Sequence, residues 1–180
     1  MIYNALSEAG CIYTYEGAGI KLSSGIMSNT YIDCRRLWSS VSNRNTIIEH
    51  MTRLLSINNV LPDVIVGIAT GGIPPGILLA DRLRLPFVYA RSAHKEHGTK
   101  SLIEGRICGR SNILIVEDHI TTGATVFNII DELTKHEHIV KNVISITDYG
   151  LETTISEMDK RNIAWIRLAT FDAKISEHSI

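Results

Sequence analysis

The densest chemistry in the sequence lies in NILIVEDHITTGAT, residues 112–125. An apolar β-branched run, residues 112–116, leads into Glu117 and Asp118, then His119 and Ile120, and then a turn of Thr121, Thr122, Gly123, Ala124 and Thr125. A turn that opens a helix presents unpaired backbone N–H groups, a ready site for a phosphate. Gly123 permits close backbone approach, and the threonine hydroxyls add donors. The carboxylates would repel that phosphate, but they accept hydrogen bonds from the vicinal hydroxyls of a sugar attached to it. The combination asks for a phosphorylated ribose. An isolated acidic pair would be no more than a polar strand end with a threonine cap; the whole pattern, in its strand–turn–helix setting, favours the ligand site.

Two further loops carry reactive chemistry. Ala69-Thr70-Gly71-Gly72-Ile73-Pro74 leaves a buried strand and enters a helix, so its amides are also placed to meet an anion. It has neither GK[ST] nor GxGxxG, and alone it reads equally well as a plain turn. The third loop runs from Arg91 through Ser92, Ala93, His94, Lys95, Glu96, His97, Gly98 and Thr99 to Lys100. It is basic and nearly devoid of apolar side chains, so it is expected to be mobile. Most such loops are simply solvated. Its HKEH lacks the spacing of a zinc-protease HExxH.

The elements that must position these loops follow from periodicity. Ile47, Ile48, Met51, Leu54 and Leu55 form a helical stripe within residues 43–58. Continuous apolar runs at 63–68, 86–90, 112–116, 142–147 and 163–168 read as buried strands. Pro74 and Pro75 fit the first turn of a helix, and residues 124–133 are helical. Buried strands alternating with helices imply an α/β fold, a parallel sheet flanked by helices. Residues 1–40 are short, polar and Gly/Ser-rich, and are expected to form a small N-terminal hood and base-side segment. Residues 41–180 would be the α/β core, the whole chain making a single domain. Ligands of open α/β sheets bind beyond the carboxyl ends of the strands, where all three loops would converge.

Composition narrows the function classes. The chain has 180 residues and a net charge of −1, with 44% apolar and 21% charged residues, the balance of a soluble globular protein. That charge leaves no broad footprint for nucleic acid. No apolar run approaches the roughly 20 residues that span a bilayer, and MIYNALSEAG lacks the pattern of a secretory signal. Three widely spaced cysteines, Cys11, Cys34 and Cys108, suggest reduced thiols and a cytoplasmic protein. Neither nucleic acid nor membrane is therefore expected as a partner.

Residues 112–125 resemble the phosphoribosyl-diphosphate signature of the type I phosphoribosyltransferases: a hydrophobic strand, two acids, two variable residues and a Thr/Gly turn. Lys95-Glu96-His97-Gly98 with Leu102-Ile103-Glu104-Gly105 resembles the flexible catalytic loop of the orotate phosphoribosyltransferases. VIVGIATGGIPPGILLADRLRLPFVYAR, LSSGIMSNTYID and ITDYGLE extend the likeness over most of the chain. The resemblance implies a type I phosphoribosyltransferase-like sheet that transfers ribose 5-phosphate from phosphoribosyl diphosphate to orotate, giving orotidine 5′-phosphate in pyrimidine biosynthesis. It implies that Arg91, Lys95 and His97 contact the diphosphate together with the loop of Thr70, Gly71 and Gly72. Glu117 through Thr125 would hold the ribose phosphate. Thr121 would also touch orotate, with Tyr31 and Ile32 near the base. Lys95, His97 and Asp118 would be the catalytic residues. Mg²⁺ would be held mainly by substrate and water, with no dedicated protein ligand set. The likeness also implies a homodimer, the mobile loop of each subunit reaching the partner's site.

Some positions depart from that pattern. Met27 stands where many members have Lys, Asn29 where they have Pro, and Ser23 where one branch has Lys. Ser92 and Ala93 occupy two positions where members usually carry at least one further Lys. A slower enzyme is the expectation. Two other readings stay open: a purine phosphoribosyltransferase, decided by the pocket around Tyr31 and Tyr149, and a regulator that binds phosphoribosyl diphosphate without catalysis.

Overall fold

The β-branched runs need cover on both faces, and the helical stripes supply it. The computed structural model describes residues 1–92 and 101–172. Helix α1 (Ile2–Glu8) precedes four short strands: β1 (Ile12–Thr14), β2 (Ile20–Lys21), β3 (Met27–Ser28) and β4 (Thr30–Ile32). β1 pairs antiparallel with β4, and β2 with β3. A 3-10 helix at Cys34–Ser39 then begins at Asp33, whose side chain accepts from Arg35 N. Helix α2 (Val41–Ile57) is capped by Ser40, whose hydroxyl accepts from Asn43 N.

The body continues with β5 (Val64–Ile68), α3 (Ile73–Leu83), β6 (Phe87–Ala90), β7 (Ile103–Glu104) and β8 (Asn112–Ile120). It closes with α4 (Ala124–Lys135), β9 (Ile139–Asp148), α5 (Glu152–Lys160) and β10 (Ala164–Thr170). The main sheet has six strands in the order β10-β9-β8-β5-β6-β7. All neighbours are parallel except β6 and β7, which pair antiparallel.

Strand alternation splits the core in two. Ile65, Leu114, Val116 and Ile144 face one side and pack with Leu6, Ile47, Met51 and Leu79 of α1, α2 and α3. Val64, Val66, Ile115 and Val143 face the other and pack with Val126, Ile129, Leu133 and Met158 of α4 and α5. Two adjacent residues of one strand thus serve two different layers.

The periodicity readings hold for the strands and for α2, α3 and α4, with three differences. β8 does not stop at Val116; it runs on to Ile120 because β9 pairs with it as far as Ile120↔Asp148. The antiparallel edge β7 and helix α5 carried too few apolar residues to announce themselves. β9 starts earlier than its apolar run, at Ile139, because its first residues need only the ladder with β8. Among the described residues no helix is long and apolar enough to cross a membrane, and Cys11, Cys34 and Cys108 are free thiols.

Glycine fixes the approach of the β5–α3 loop to β8. A Cβ at Gly72 would overlap the Val116 carbonyl oxygen and lie 2.7 Å from Ile68 N, both backbone atoms that cannot step aside. Gly72→Ala is therefore expected to cost about 2 kcal/mol or more of stability, as overpacked cores do. Urea melts of the two proteins measure it, and a difference under about 0.5 kcal/mol, the scatter of an ordinary surface change, would show that loop and strand part easily.

Candidate functional site

Continuation of β8 to Ile120 puts Glu117, Asp118, His119 and Ile120 inside a strand, so their side chains alternate. The sequence suggested two acids side by side on one diol. The two side chains remain within hydrogen-bonding reach of each other, and each also meets a different neighbour. Glu117 and His119 line a cavity of about 270 Å³ together with Ile120, Thr121, Thr122, Gly123, Ala124, Thr125 and Val126. A Cβ on Gly71 would overlap the Asp118 carboxylate, so that carboxylate also rests directly on the β5–α3 loop of Thr70, Gly71 and Gly72.

The turn has the form an anion requires. Gly123 is the N-cap of α4 at φ +73°, in the left-handed region open to glycine. The first bond of the helix runs from Phe127 N to Gly123 O at 2.9 Å. The amides before Phe127 have no acceptor inside the helix, and they border the cavity. No side chain caps the helix and no acid sits in its first turn, so the positive end of its dipole is unanswered. Thr154 Oγ1 donates to Thr121 O at 2.9 Å and ties the turn to α5.

The hood completes the cavity. Ser23 and Ser24, in the turn between β2 and β3, form its remaining wall. Both are small, polar and exposed, and nothing in their spacing marked them as lining residues. Tyr149, at the end of β9, donates its phenol hydroxyl to Thr30 O at 2.7 Å and so ties the hood to the sheet.

Burial sets the charges. Burial first, and then the charge of Asp118, push the Glu117 carboxyl well above the ordinary carboxylate range. Its Oε1 accepts from Asp118 N at 3.0 Å. Asp118 Oδ1 accepts from His119 N at 2.9 Å. His119 is pushed down to about 4 by burial, so its ring is neutral near pH 7. Its Nδ1 lies 2.8 Å from Thr147 Oγ1, and its ring stands edge-on to Tyr149 with centroids 4.6 Å apart.

The other expected residues lie as follows. Thr70 is exposed in the β5–α3 loop, whose Ala69–Thr70 peptide is cis. Arg91, at the end of β6, pairs with Glu104 of β7 at 3.7 Å. Tyr31 stacks against Tyr13, with ring centroids 5.9 Å apart, and Arg35 Nη2 donates to its hydroxyl at 3.5 Å. Ile32 is 5% exposed and belongs to the core. Alternation along β4 separates it from Tyr31. Neither lines the cavity. Lys95 and His97, with Ala93, lie outside the described residues. Thr147 and Cys34, which support His119 and the Asp118 backbone, were not singled out from sequence; both sit in apolar surroundings where a hydroxyl or thiol reads as filler.

The chain matches the phosphoribosyl transferase domain family over residues 38–166. Orotate phosphoribosyltransferase of Rhizobium johnstonii is 41% identical over 153 residues, covering 84% of this chain and 67% of the relative. That of Coxiella burnetii is 37% identical over 155 residues, covering 86% and 74%. The crystal structure of orotate phosphoribosyltransferase from Aeropyrum pernix superposes with a TM-score of 0.83 at 28% identity, covering 94% of this chain and 93% of that one. With these relatives and a family match across the β8–α4 site, the chain belongs to the phosphoribosyltransferase family, on its orotate phosphoribosyltransferase branch.

Proposed function

We propose that the protein transfers ribose 5-phosphate from phosphoribosyl diphosphate to orotate, releasing diphosphate. The observation that carries this reading is the cavity in which Glu117, the 121–125 turn and the bare N-terminus of α4 meet. The amides of the turn would take the 5-phosphate. Glu117 would stand beside the sugar. Asp118, on the Thr70–Gly71–Gly72 side, would face the end of the ribose that carries the diphosphate. The substrate would thus lie across the end of β8, anion at both ends and diol between.

In the reaction a ring nitrogen of the base bonds to the anomeric carbon as the bond to the diphosphate oxygen breaks, and the proton of that nitrogen passes to the leaving diphosphate or to water. The carbon gains oxocarbenium character, and negative charge collects on the leaving group. Cations that meet this charge only as it develops lower the barrier. Arg91, Lys95 and His97 are assigned that task, with Lys95 and His97 delivered from a loop that also excludes water. A partner subunit of a homodimer would supply or receive that loop.

Mg²⁺ prefers oxygen ligands and keeps several waters. The carboxylates at the end of β8 and the ribose and diphosphate oxygens of the substrate are oxygen donors of the kind Mg²⁺ takes. Asp118 and the 70–72 loop would orient those oxygens. When bound, the ion would supply positive charge that offsets the charge gathering on the leaving diphosphate.

Absorbance at the orotate band, followed with phosphoribosyl diphosphate and Mg²⁺, tests the assignment beside uracil, adenine, hypoxanthine and xanthine. Orotate alone should be consumed; turnover of a purine without orotate overturns the reading.

Glu117 offers a sharper test, because its carboxyl is raised in the fold. The native state then holds its proton more tightly than the unfolded chain, so stability falls as pH rises from the ordinary carboxylate value of 4.5 toward the raised one. Glu117→Gln should melt higher than wild type at pH 8, with the gap closing below pH 4.5, while kcat/KM drops about tenfold or more through loss of a charge-assisted contact. A variant that is less stable at pH 8 would make Glu117 a structural residue.

Gly71→Ala should act through Asp118. The added methyl displaces a side chain and not backbone, so the melt should stay within about 1 kcal/mol, while kcat/KM falls at least about tenfold, the worth of one lost charge-assisted contact. Unaltered steady-state kinetics would separate Asp118 from the reaction.

A further inference from the structure

The turn of Thr121 to Thr125 is held from behind by α5. Thr154, in the first turn of that helix, is 1% exposed and does not line the cavity. Its Oγ1 donates to Thr121 O at 2.9 Å. Its methyl stands close to Gly123, where a Cβ would lie 3.2 Å from Thr154 Cγ2 and 2.8 Å from Phe127 Cε2. The two helices are braced beside this contact. Arg161, at the end of α5, lies 5.1 Å from the centroid of the Phe127 ring of α4. It pairs with Asp131 of α4 at 2.6 Å and with Glu157 of α5 at 2.8 Å. One side chain of α5 thus grips both the first residue of the turn and its glycine.

A trans peptide unit is planar and points its C=O and its N–H in opposite directions. The Thr121–Thr122 peptide is trans. Thr154 draws the Thr121 carbonyl toward α5, and the turn stands between Thr154 and the cavity, so the Thr122 N–H points to the cavity side. Thr122 N meets no backbone acceptor among the described residues. We propose that Thr154 is a positioning residue for substrate binding: it holds the Thr121–Thr122 peptide so that the Thr122 amide donates to the 5-phosphate of the substrate. The proposal rests on the phosphoribosyl reading of the cavity. Thr154 touches no substrate atom and acts through the peptide alone. Without its hydroxyl the peptide loses its fixed orientation, and each binding event must order it anew. The 5-phosphate lies away from the reacting carbon, so its contacts stabilise bound substrate and transition state alike, and their loss falls on KM.

Calorimetry with ribose 5-phosphate, and steady-state kinetics with orotate saturating, test it. Thr154→Val keeps the shape and loses the hydroxyl. It should bind ribose 5-phosphate about 3- to 10-fold more weakly, and its KM for phosphoribosyl diphosphate should rise more than its kcat falls. Thr154→Ser, which returns the hydroxyl, should recover most of that loss. A further measurement needs no variant: in ¹H–¹⁵N spectra of the wild type, the Thr122 amide proton should move downfield when ribose 5-phosphate is added. Undiminished affinity in folded Thr154→Val overturns the proposal, and so does an equal loss in Thr154→Ser. An unmoved Thr122 amide while calorimetry records binding overturns it as well, and decides the matter if Thr154→Val does not fold. Failure of the wild type to bind ribose 5-phosphate overturns the phosphoribosyl reading itself, and this proposal with it.

Discussion

The parallel ladder between β8 and β9, carried out to Ile120↔Asp148, is the constraint on which the site depends. Held in that strand, Glu117 and His119 border the cavity at the α4 turn, while the Asp118 carboxylate stays within reach of Glu117 and also rests on the β5–α3 loop. The ladder also brings Thr147 beside His119 and Tyr149 beneath the hood, so the same pairing builds the floor of the cavity and anchors its roof.

Much of the frame was legible in the sequence because periodicity is a local property. The runs at 63–68 and 112–116 had to be buried on both faces, and Pro74 and Pro75 marked a helix start. The turn of Thr121 to Thr125 was legible as well, since Gly123 and the threonines have few other uses in that context. What could not be read was set by partners distant in the chain. The extension of β8 needs β9 to run alongside it. The contact of Gly71 with Asp118 joins residues 47 positions apart. Tyr31 and Ile32, adjacent in sequence, lie on opposite faces of β4, which only the pairing with β1 decides. Ser23 and Ser24 entered the cavity only through the fold of a hairpin whose sequence is too polar and short to predict its direction.

The energetics separate what holds the protein together from what equips it. Two apolar layers, one under α1 to α3 and one under α4 and α5, provide the burial that stabilises the sheet. Glu117 and His119 work against it. Each is buried where its charged form is disfavoured, Glu117 raised and His119 lowered to about 4. For His119 the sign is opposite to that of Glu117. Its stabilising neutral state is fully present above pH 6.5 and is lost as pH falls toward 4. Burial thus disfavours charge on both groups of the cavity wall, beside a helix N-terminus whose first amides have no acceptor within the helix.

Such a wall is a poor investment for stability alone, since apolar residues would fill the same volume without desolvating a carboxyl or an imidazole. Asp148 shows what a structural buried acid looks like in this chain: it is fully enclosed, yet accepts from Gly150 N at 2.7 Å and Thr170 Oγ1 at 3.0 Å and lies 3.8 Å from Arg167 Nη1. Glu117 meets its own neighbour Asp118 through both backbone and side chain, and His119 Nε2 has no hydrogen-bond partner among the described residues. The contrast lies within one sheet, on adjoining strands, and is therefore not a difference of fold but of what remains to be bound. Where the protein needs an acid for its own architecture it surrounds that acid with donors. At the end of β8 the buried acid is given fewer donors, beside a helix N-terminus whose first amides have no acceptor within the helix.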